Sequence, residues 1–218
     1  MQPGPDHFYR CAKCDHLLRQ ESISSGNTFG ATIYSDGKYI APMMPEFADL
    51  SKCRSCKHIF WVSKAKVIAE HYPHEVETLS PEWQNAHMLE FLTINEYFRA
   101  LDQGLATTPE EELYIRKQIL WAFNDRVRKG KALFRAKKDP DRWEENLDKL
   151  LDLLTPDDVD EKIMIAEIYR NKEDFKKCLE LIGSIKQSEY SWIKAPFRRA
   201  CRNKNREVCQ LQVGELFE

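Results

Sequence analysis

The sequence predicts an α+β protein: a small β-rich N-terminal part followed by an all-α part built of helical hairpins. Three observations carry this expectation. Four of the seven cysteines, Cys11, Cys14, Cys53 and Cys56, fall in two matching pairs among turn-forming residues. From about residue 80 onward, Leu, Ile, Glu, Lys and Arg recur at helical spacing. Charge divides with composition: residues 1–66 hold nine Lys/Arg against six Asp/Glu, a net of +3, and residues 67–218 hold 24 against 29, a net of −5. The expected domains are 1–66 and 81–218, with 67–80 as a linker. The break falls at His71-Tyr72-Pro73-His74, because proline resists helix continuation.

In the first part Phe8-Tyr9-Arg10 leads as a strand into the first cysteine pair. Thr28 to Tyr34 is rich in β-branched and aromatic residues. Ser35-Asp36-Gly37-Lys38 then predicts a hairpin turn, since Asp-Gly tolerates positive φ, and Tyr39-Ile40-Ala41 returns as the partner strand. Ile59-Phe60-Trp61-Val62 forms a strand after the second pair.

The second part shows repeated helix starts. Ser80-Pro81, Thr108-Pro109 and Thr155-Pro156 each place a capping hydroxyl before a proline at the first helical position. Thr93-Ile94-Asn95-Glu96 has the capping-box spacing. Helices are expected at about 81–91, 94–103, 109–129, 141–154, 157–171, 173–185 and 189–202. Trp143, Leu147, Leu150, Leu151 and Leu154 share one face, as do Leu113, Leu120, Phe123 and Val127.

The cysteine pairs carry the chemistry. Cys11-Ala12-Lys13-Cys14-Asp15-His16-Leu17-Leu18 and Cys53-Arg54-Ser55-Cys56-Lys57-His58-Ile59-Phe60 share the pattern Cys-x-x-Cys-x-His-apolar-apolar. Each tight turn can aim two thiolates at one point, and two turns make a four-sulfur tetrahedron, the geometry of structural zinc. Ordinary buried thiols or two disulfides would have to produce the repeat by chance. One zinc ion per chain is expected, with iron the less favoured metal. His16 and His58 are expected on the turn surface, because four cysteines already fill the tetrahedron. A closed site of this kind leaves no open position for substrate, which argues against metal catalysis.

This arrangement resembles the zinc ribbon and, more distantly, rubredoxin. Both families usually have glycine just after the second cysteine of each turn, where Asp15 and Lys57 stand here. Residues 159–192 resemble one tetratricopeptide repeat, a helix–turn–helix unit of about 34 residues. The matching residues are Ile165, Ala166 and Tyr169 in the first helix, and Phe175, Cys178 and Ile182 in the second, joined by Asn171-Lys172-Glu173-Asp174. Lys162 stands at the early aromatic position, and the usual terminal proline is absent. An ordinary helical hairpin remains the alternative. Ser25-Gly26-Asn27-Thr28-Phe29-Gly30, Ser35-Asp36-Gly37-Lys38 and Leu120-Trp121-Ala122-Phe123-Asn124-Asp125-Arg126 together resemble an uncharacterised bacterial protein group that combines a ribbon with such a helical domain. That resemblance implies no catalytic residues.

Hydrophobic and charged fractions of 42% and 31% fit a soluble folded chain. No apolar run reaches the length of a membrane span. The first residues lack a signal-peptide pattern, so a cytoplasmic location is expected, where paired cysteines mean metal or redox chemistry. The overall charge of −2 disfavours a general polyanion binder. Two basic runs, 126–142 and 194–206, leave nucleic-acid contact open as the alternative, with solvated helix faces as the plainer account. Asn124-Asp125-Arg126 is expected to supply local salt bridges and caps, and Cys178 to lie in the core. No phosphate loop, hydrolase elbow or paired-carboxylate motif is present, so no catalytic or cofactor-binding residue is expected and a non-enzyme is favoured. The expected function is a structural-zinc protein that acts as an interaction module or adaptor for a protein partner, with no membrane involvement. The alternatives are a nucleic-acid-binding zinc ribbon and a rubredoxin-like iron redox protein.

Overall fold

Short strands dominate the first 71 residues of the computed structural model and helices most of the rest, so the protein is α+β; residues 1–213 are described. In chain order the first strands are β1 (Gln2–Pro3), β2 (Asp6–Arg10), β3 (Leu17–Gln20), β4 (Ile23–Ser25), β5 (Thr32–Tyr34) and β6 (Tyr39–Ile40). Then come β7 (Leu50–Lys52), β8 (Ile59–Trp61), β9 (Ala69–His71), α1 (Pro73–Val76), α2 (Pro81–Gln84), β10 (His87–Met88) and α3 (Ile94–Asp102). The long helices are α4 (Pro109–Arg128), α5 (Asp139–Leu153), α6 (Val159–Asn171) and α7 (Phe175–Ser184). A 3-10 turn over Ser188–Ile193 leads into α8 (Lys194–Arg202), and β11 (Gln210–Val213) follows. The last five residues of the expected helical domain, 214–218, lie outside the described residues.

The chain forms two compact units, Met1–Gly30 with Ala41–Leu105, and Ala31–Ile40 with the chain from Ala106 onward. These units do not follow a single cut at 67–80: the hairpin β5–β6 falls in the helical unit, and α3 falls in the cysteine-bearing unit.

In the first unit β2 lies between β3 and β9, both antiparallel to it, and β10 adds to β3 in parallel. The stretch expected as a helix over 81–91 is instead one turn of helix, α2, followed by β10, because Leu89 N–H donates to the Arg19 carbonyl at 2.8 Å and carries the sheet on. Phe8 and Leu17 are buried with Val76, and Trp83 packs edge-on to Phe8 at 5.0 Å between centroids. Residues 90–105 are held to the second cysteine hairpin by specific bonds. Ser51 Oγ donates to the Glu90 carbonyl at 2.8 Å, Lys52 pairs with Glu96, and Trp61 Nε1 donates to the Leu105 carbonyl at 2.9 Å. Glu96 also closes the expected capping box by accepting from Thr93 N–H at 2.9 Å.

In the second unit α4, α6 and α7 start on side-chain caps, though not always the expected residue, while α5 and α8 start without one. Thr108 Oγ1 accepts from Glu111 N–H as expected. Thr155 does not cap α6; the helix starts later, where Asp158 accepts from Glu161 N–H at 2.9 Å. A carboxylate at the N-cap satisfies an orphan N–H and sits favourably on the helix dipole. Helices α6 and α7 pack through Ala166, Cys178 and Ile182, all at most 1% exposed. The turn between them places Glu173 at φ 65°, and Asp174 N–H bonds back to the Tyr169 carbonyl at 2.8 Å. Strands β5, β6 and β11 make the unit's small antiparallel sheet, with Gly37 at φ 74° in the expected turn.

Candidate metal centre

Each cysteine pair sits in the loop of a β-hairpin, and the two hairpins share one register. Arg10 pairs with Leu17 across β2–β3, and Lys52 with Ile59 across β7–β8, so six residues close each loop. The loop hydrogen bonds match as well. Cys11 N–H donates to the His16 carbonyl at 3.0 Å and Asp15 N–H to the Cys11 carbonyl at 2.8 Å. Cys53 N–H donates to the His58 carbonyl at 2.9 Å and Lys57 N–H to the Cys53 carbonyl at 2.9 Å. Asp15 and Lys57 adopt φ 58° and 60°, the left-handed conformation that glycine would take at no cost. Arg10 donates to the Asp15 carbonyl at 3.0 Å and Lys57 Nζ to the Arg54 carbonyl at 2.7 Å, which helps to hold these non-glycine turns.

The four Sγ atoms of Cys11, Cys14, Cys53 and Cys56 all lie within 4.8 Å of one another. Cys11 to Cys56 and Cys14 to Cys53 are both 3.6 Å, so no disulfide joins them. A metal–sulfur bond of about 2.3 Å sets the edge of a regular tetrahedron at about 3.8 Å. The donor set therefore fits a four-coordinate thiophilic metal ion, and the cluster can hold one. Tyr9, Leu18 and Val62 are buried around it, and Phe60, Ala65 and Leu89 pack on that shell.

The electrostatics point the same way. At Cys56 the His58 backbone N–H is the strongest influence, and with the three neighbouring thiols it lowers the pKa to about 7 against burial. At Cys14 the His16 backbone N–H lowers the pKa, but burial and the other three thiols outweigh it and push it up to about 12. Burial raises the Cys11 thiol. One thiolate thus forms readily, and Cys11 and Cys14 resist ionising beside it. A divalent cation removes that resistance, because thiolate ligands release their protons on binding.

His16 and His58 stay outside the cluster: His16 is exposed and His58 half-buried, and their carbonyls, not their rings, serve the turns. Part of each basic run is spent on ion pairs within the protein. In the first, Arg126 pairs with Asp139 and Arg128 with Asp125, the local salt bridges expected at Asn124-Asp125-Arg126, but Asp125 also pairs with Lys38 and Asn124 donates to Asp36, both far away in sequence. In the second, Arg198, Arg199, Arg202 and Lys204 are exposed, while Arg206 pairs with Glu173. Cys178 and Cys201 are buried core thiols 3.6 Å apart, with pKa values raised by burial.

Sequence reasoning missed a buried polar lock in the helical unit. Ser35 and Asp36, in the expected hairpin turn, are fully buried. Ser35 Oγ donates to Glu167 at 2.9 Å and accepts from Cys209 N–H at 3.0 Å, and Glu167 forms an ion pair with Arg170. Asp36 pairs with Arg128 and accepts from Asn124 Nδ2 at 2.8 Å. The available signal was Glu167 itself, a carboxylate inside the run Ile163-Met164-Ile165-Ala166-Glu167-Ile168.

No helix among the described residues is long and apolar enough to cross a membrane. The resemblance to an uncharacterised bacterial group therefore rests on the quoted residues alone, for no family model, curated protein or solved structure matches this chain.

Proposed function

We propose that the protein is a structural-zinc interaction module, with Cys11, Cys14, Cys53 and Cys56 as the metal ligands and the helical unit engaging a protein partner in the cytoplasm. The observation that carries the metal assignment is the four-sulfur cluster at two hairpins of identical register. Four thiolates favour zinc among common divalent ions, and a filled tetrahedron has no place for water or substrate, so the ion's role is structural. The α6–α7 pair supports a tetratricopeptide-like role: the small residues Ala166 and Cys178 are fully buried where that repeat needs close helix contact. Such hairpins present a face for another chain.

Two measurements test this. Elemental analysis of purified protein is expected to give about one zinc per chain in a colourless sample. No metal, with four freely titratable thiols, overturns the assignment, and a red protein with stoichiometric iron replaces it with the rubredoxin-like one. Pull-down from the native host with and without nuclease is expected to capture the same protein partner. Neutralising Arg198, Arg199 and Arg202 is expected to leave that capture largely intact. Capture lost with nuclease or with the three substitutions makes the protein a nucleic-acid binder.

A further inference from the structure

The helical unit contains a cavity of about 510 Å³ that the metal centre does not use. Ligand pockets commonly span about 300–1,000 Å³. Its walls include Tyr34, Tyr39, Tyr190 and Trp192, and two carboxylates, Asp160 and Glu161, stand among them. The Arg128 guanidinium already lies 4.5 Å from the Tyr34 ring centroid, so Tyr39, Tyr190 and Trp192 are the rings left for a ligand.

We propose that this cavity binds an organic cation, an ammonium or guanidinium group carried on an apolar body. Aromatic faces attract a cation through their quadrupole, most strongly where water is excluded. The carboxylates add charge of the right sign. Glu161 is partly committed, because it accepts from Thr155 N–H at 2.7 Å. Burial raises the pKa of the Tyr190 phenol and the neighbouring Asp160 carboxylate raises it further, so Asp160 faces a neutral group that leaves its charge in place. Among the described residues neither Asp160 nor Glu161 forms an ion pair. The dipole of α6 offsets part of that charge, since both residues lie in its first turn. Among the described residues the one cation in the wall is Lys117, with Nζ 5.4 Å from the Trp121 ring centroid. Two carboxylates against one lysine disfavour an anionic ligand. The apolar body has a floor to meet in Met164 and Ile193, both buried.

This inference goes beyond the interaction-module reading and does not depend on it or on the metal. Calorimetric titration of the full chain with 2-phenylethylammonium tests it, beside neutral 2-phenylethanol and anionic 3-phenylpropanoate. Saturable binding of the ammonium is expected, about tenfold tighter than the alcohol, with no binding of the anion. Asp160→Asn removes the charge with little change of shape and is expected to weaken only the ammonium, by roughly three- to tenfold. Trp192→Leu is expected to weaken ammonium and alcohol together. A parallel titration with N-acetyl-lysine amide separates sources: tighter binding than phenylethylammonium identifies a basic protein side chain, and weaker binding a free small cation. Equal affinity for alcohol and ammonium overturns the proposal. So does the absence of saturable ammonium binding at about 10 mM in protein whose helical circular dichroism is intact.

Discussion

The cysteine-bearing unit holds eight strands, each two to five residues long, whereas the helical unit is built on helices of nine to 20 residues. Of the twelve largest fully buried side chains, only Phe8, Leu18, Leu50 and Tyr97 belong to the first; the other eight, including Trp143, Phe123 and Phe197, belong to the second. Sheets of two to four short strands bury little apolar surface, and small hairpins are marginal in water. The first unit therefore has little core of its own to hold it together, and a metal ion in the four-sulfur cluster would supply the cohesion proposed above. The second has core to spare, and it tolerates two ion pairs, Asp36–Arg128 and Glu167–Arg170, whose side chains are at most 5% exposed. The contrast teaches where each unit puts its polar chemistry: four clustered thiols in two hairpin loops of one, and ion pairs enclosed by the helices of the other.

The largest expected effect breaks the first unit alone. Replacing Cys11 and Cys53 with serine leaves two sulfur ligands, and structural zinc in small domains has apparent binding free energies of about 10–16 kcal/mol. We expect metal content to fall to background and the amide NMR signals of residues 1–30 and 41–105 to collapse, while most helical ellipticity at 222 nm persists. If the helical signal is lost as well, the two units share their stability and the contrast between them fails.

A smaller effect is confined to the second unit. Glu167→Gln leaves the Arg170 guanidinium buried without its counter-charge. The expected cost is about 3–5 kcal/mol in urea melts followed by helical signal, with metal content unchanged. The double replacement Glu167→Leu with Arg170→Met is expected to recover much of that loss, because a buried pair is often no better than packed apolar side chains. Burial pushes the Glu167 carboxyl up, with Arg170 and Ser35 opposing. A change below about 0.5 kcal/mol for Glu167→Gln means that Glu167 is already protonated in the fold, and the lock then works by neutral hydrogen bonds.

The two units also differed in how far the sequence disclosed them. The cysteine repeat marked the four residues that cluster because identical local chemistry recurs, and its common register appears in the structure as two equivalent hairpins. The long helices α4 to α7 were legible from their apolar stripes, with ends misplaced by a few residues where Asp158 and Asp174, not Thr155, supply the caps, whereas the helix expected over 189–202 is a 3-10 turn followed by α8. Strands β3, β7, β9 and β10 have two to four residues, too few for a period of two to register. The hairpin β5–β6 was recognised as a hairpin, yet its membership of the helical unit was invisible. Asp36 meets Arg128 92 residues later and Ser35 meets Glu167 132 residues later. Pairings across such separations leave no local pattern. Turn chemistry gave the right conformation for Ser35-Asp36-Gly37-Lys38 and the wrong environment, since the residues that favour turns also serve as buried hydrogen-bonding groups.

Acid provides the smallest effect and the finest separation of the units. Asp139 lies at the start of α5 and is buried. Burial alone would raise its pKa, but the N–H groups of Arg135 and Ala136 and the Arg126 guanidinium outweigh burial and hold it below the usual carboxylate range. Glu96 in the first unit is lowered in the same way, with Lys52 and Thr93 outweighing burial. A depressed folded pKa gives stability that is fully present above the unfolded value, about pH 4, and is lost as pH falls through the folded one. The helical unit should therefore hold its melting temperature down to about pH 4 and lose it below, with Asp139→Asn lowering its stability by about 1–2 kcal/mol at neutral pH and flattening the acid slope. The first unit should fail earlier. Its ligands must be thiolates, so protons compete with the metal well above the carboxylate range, and metal release should precede any loss of helical signal. A pH titration followed by a metal-sensitive dye and by 222 nm ellipticity measures both. Coincident transitions would show that one event controls both units; separated transitions, metal first, keep the metal-held unit and the core-held unit distinct.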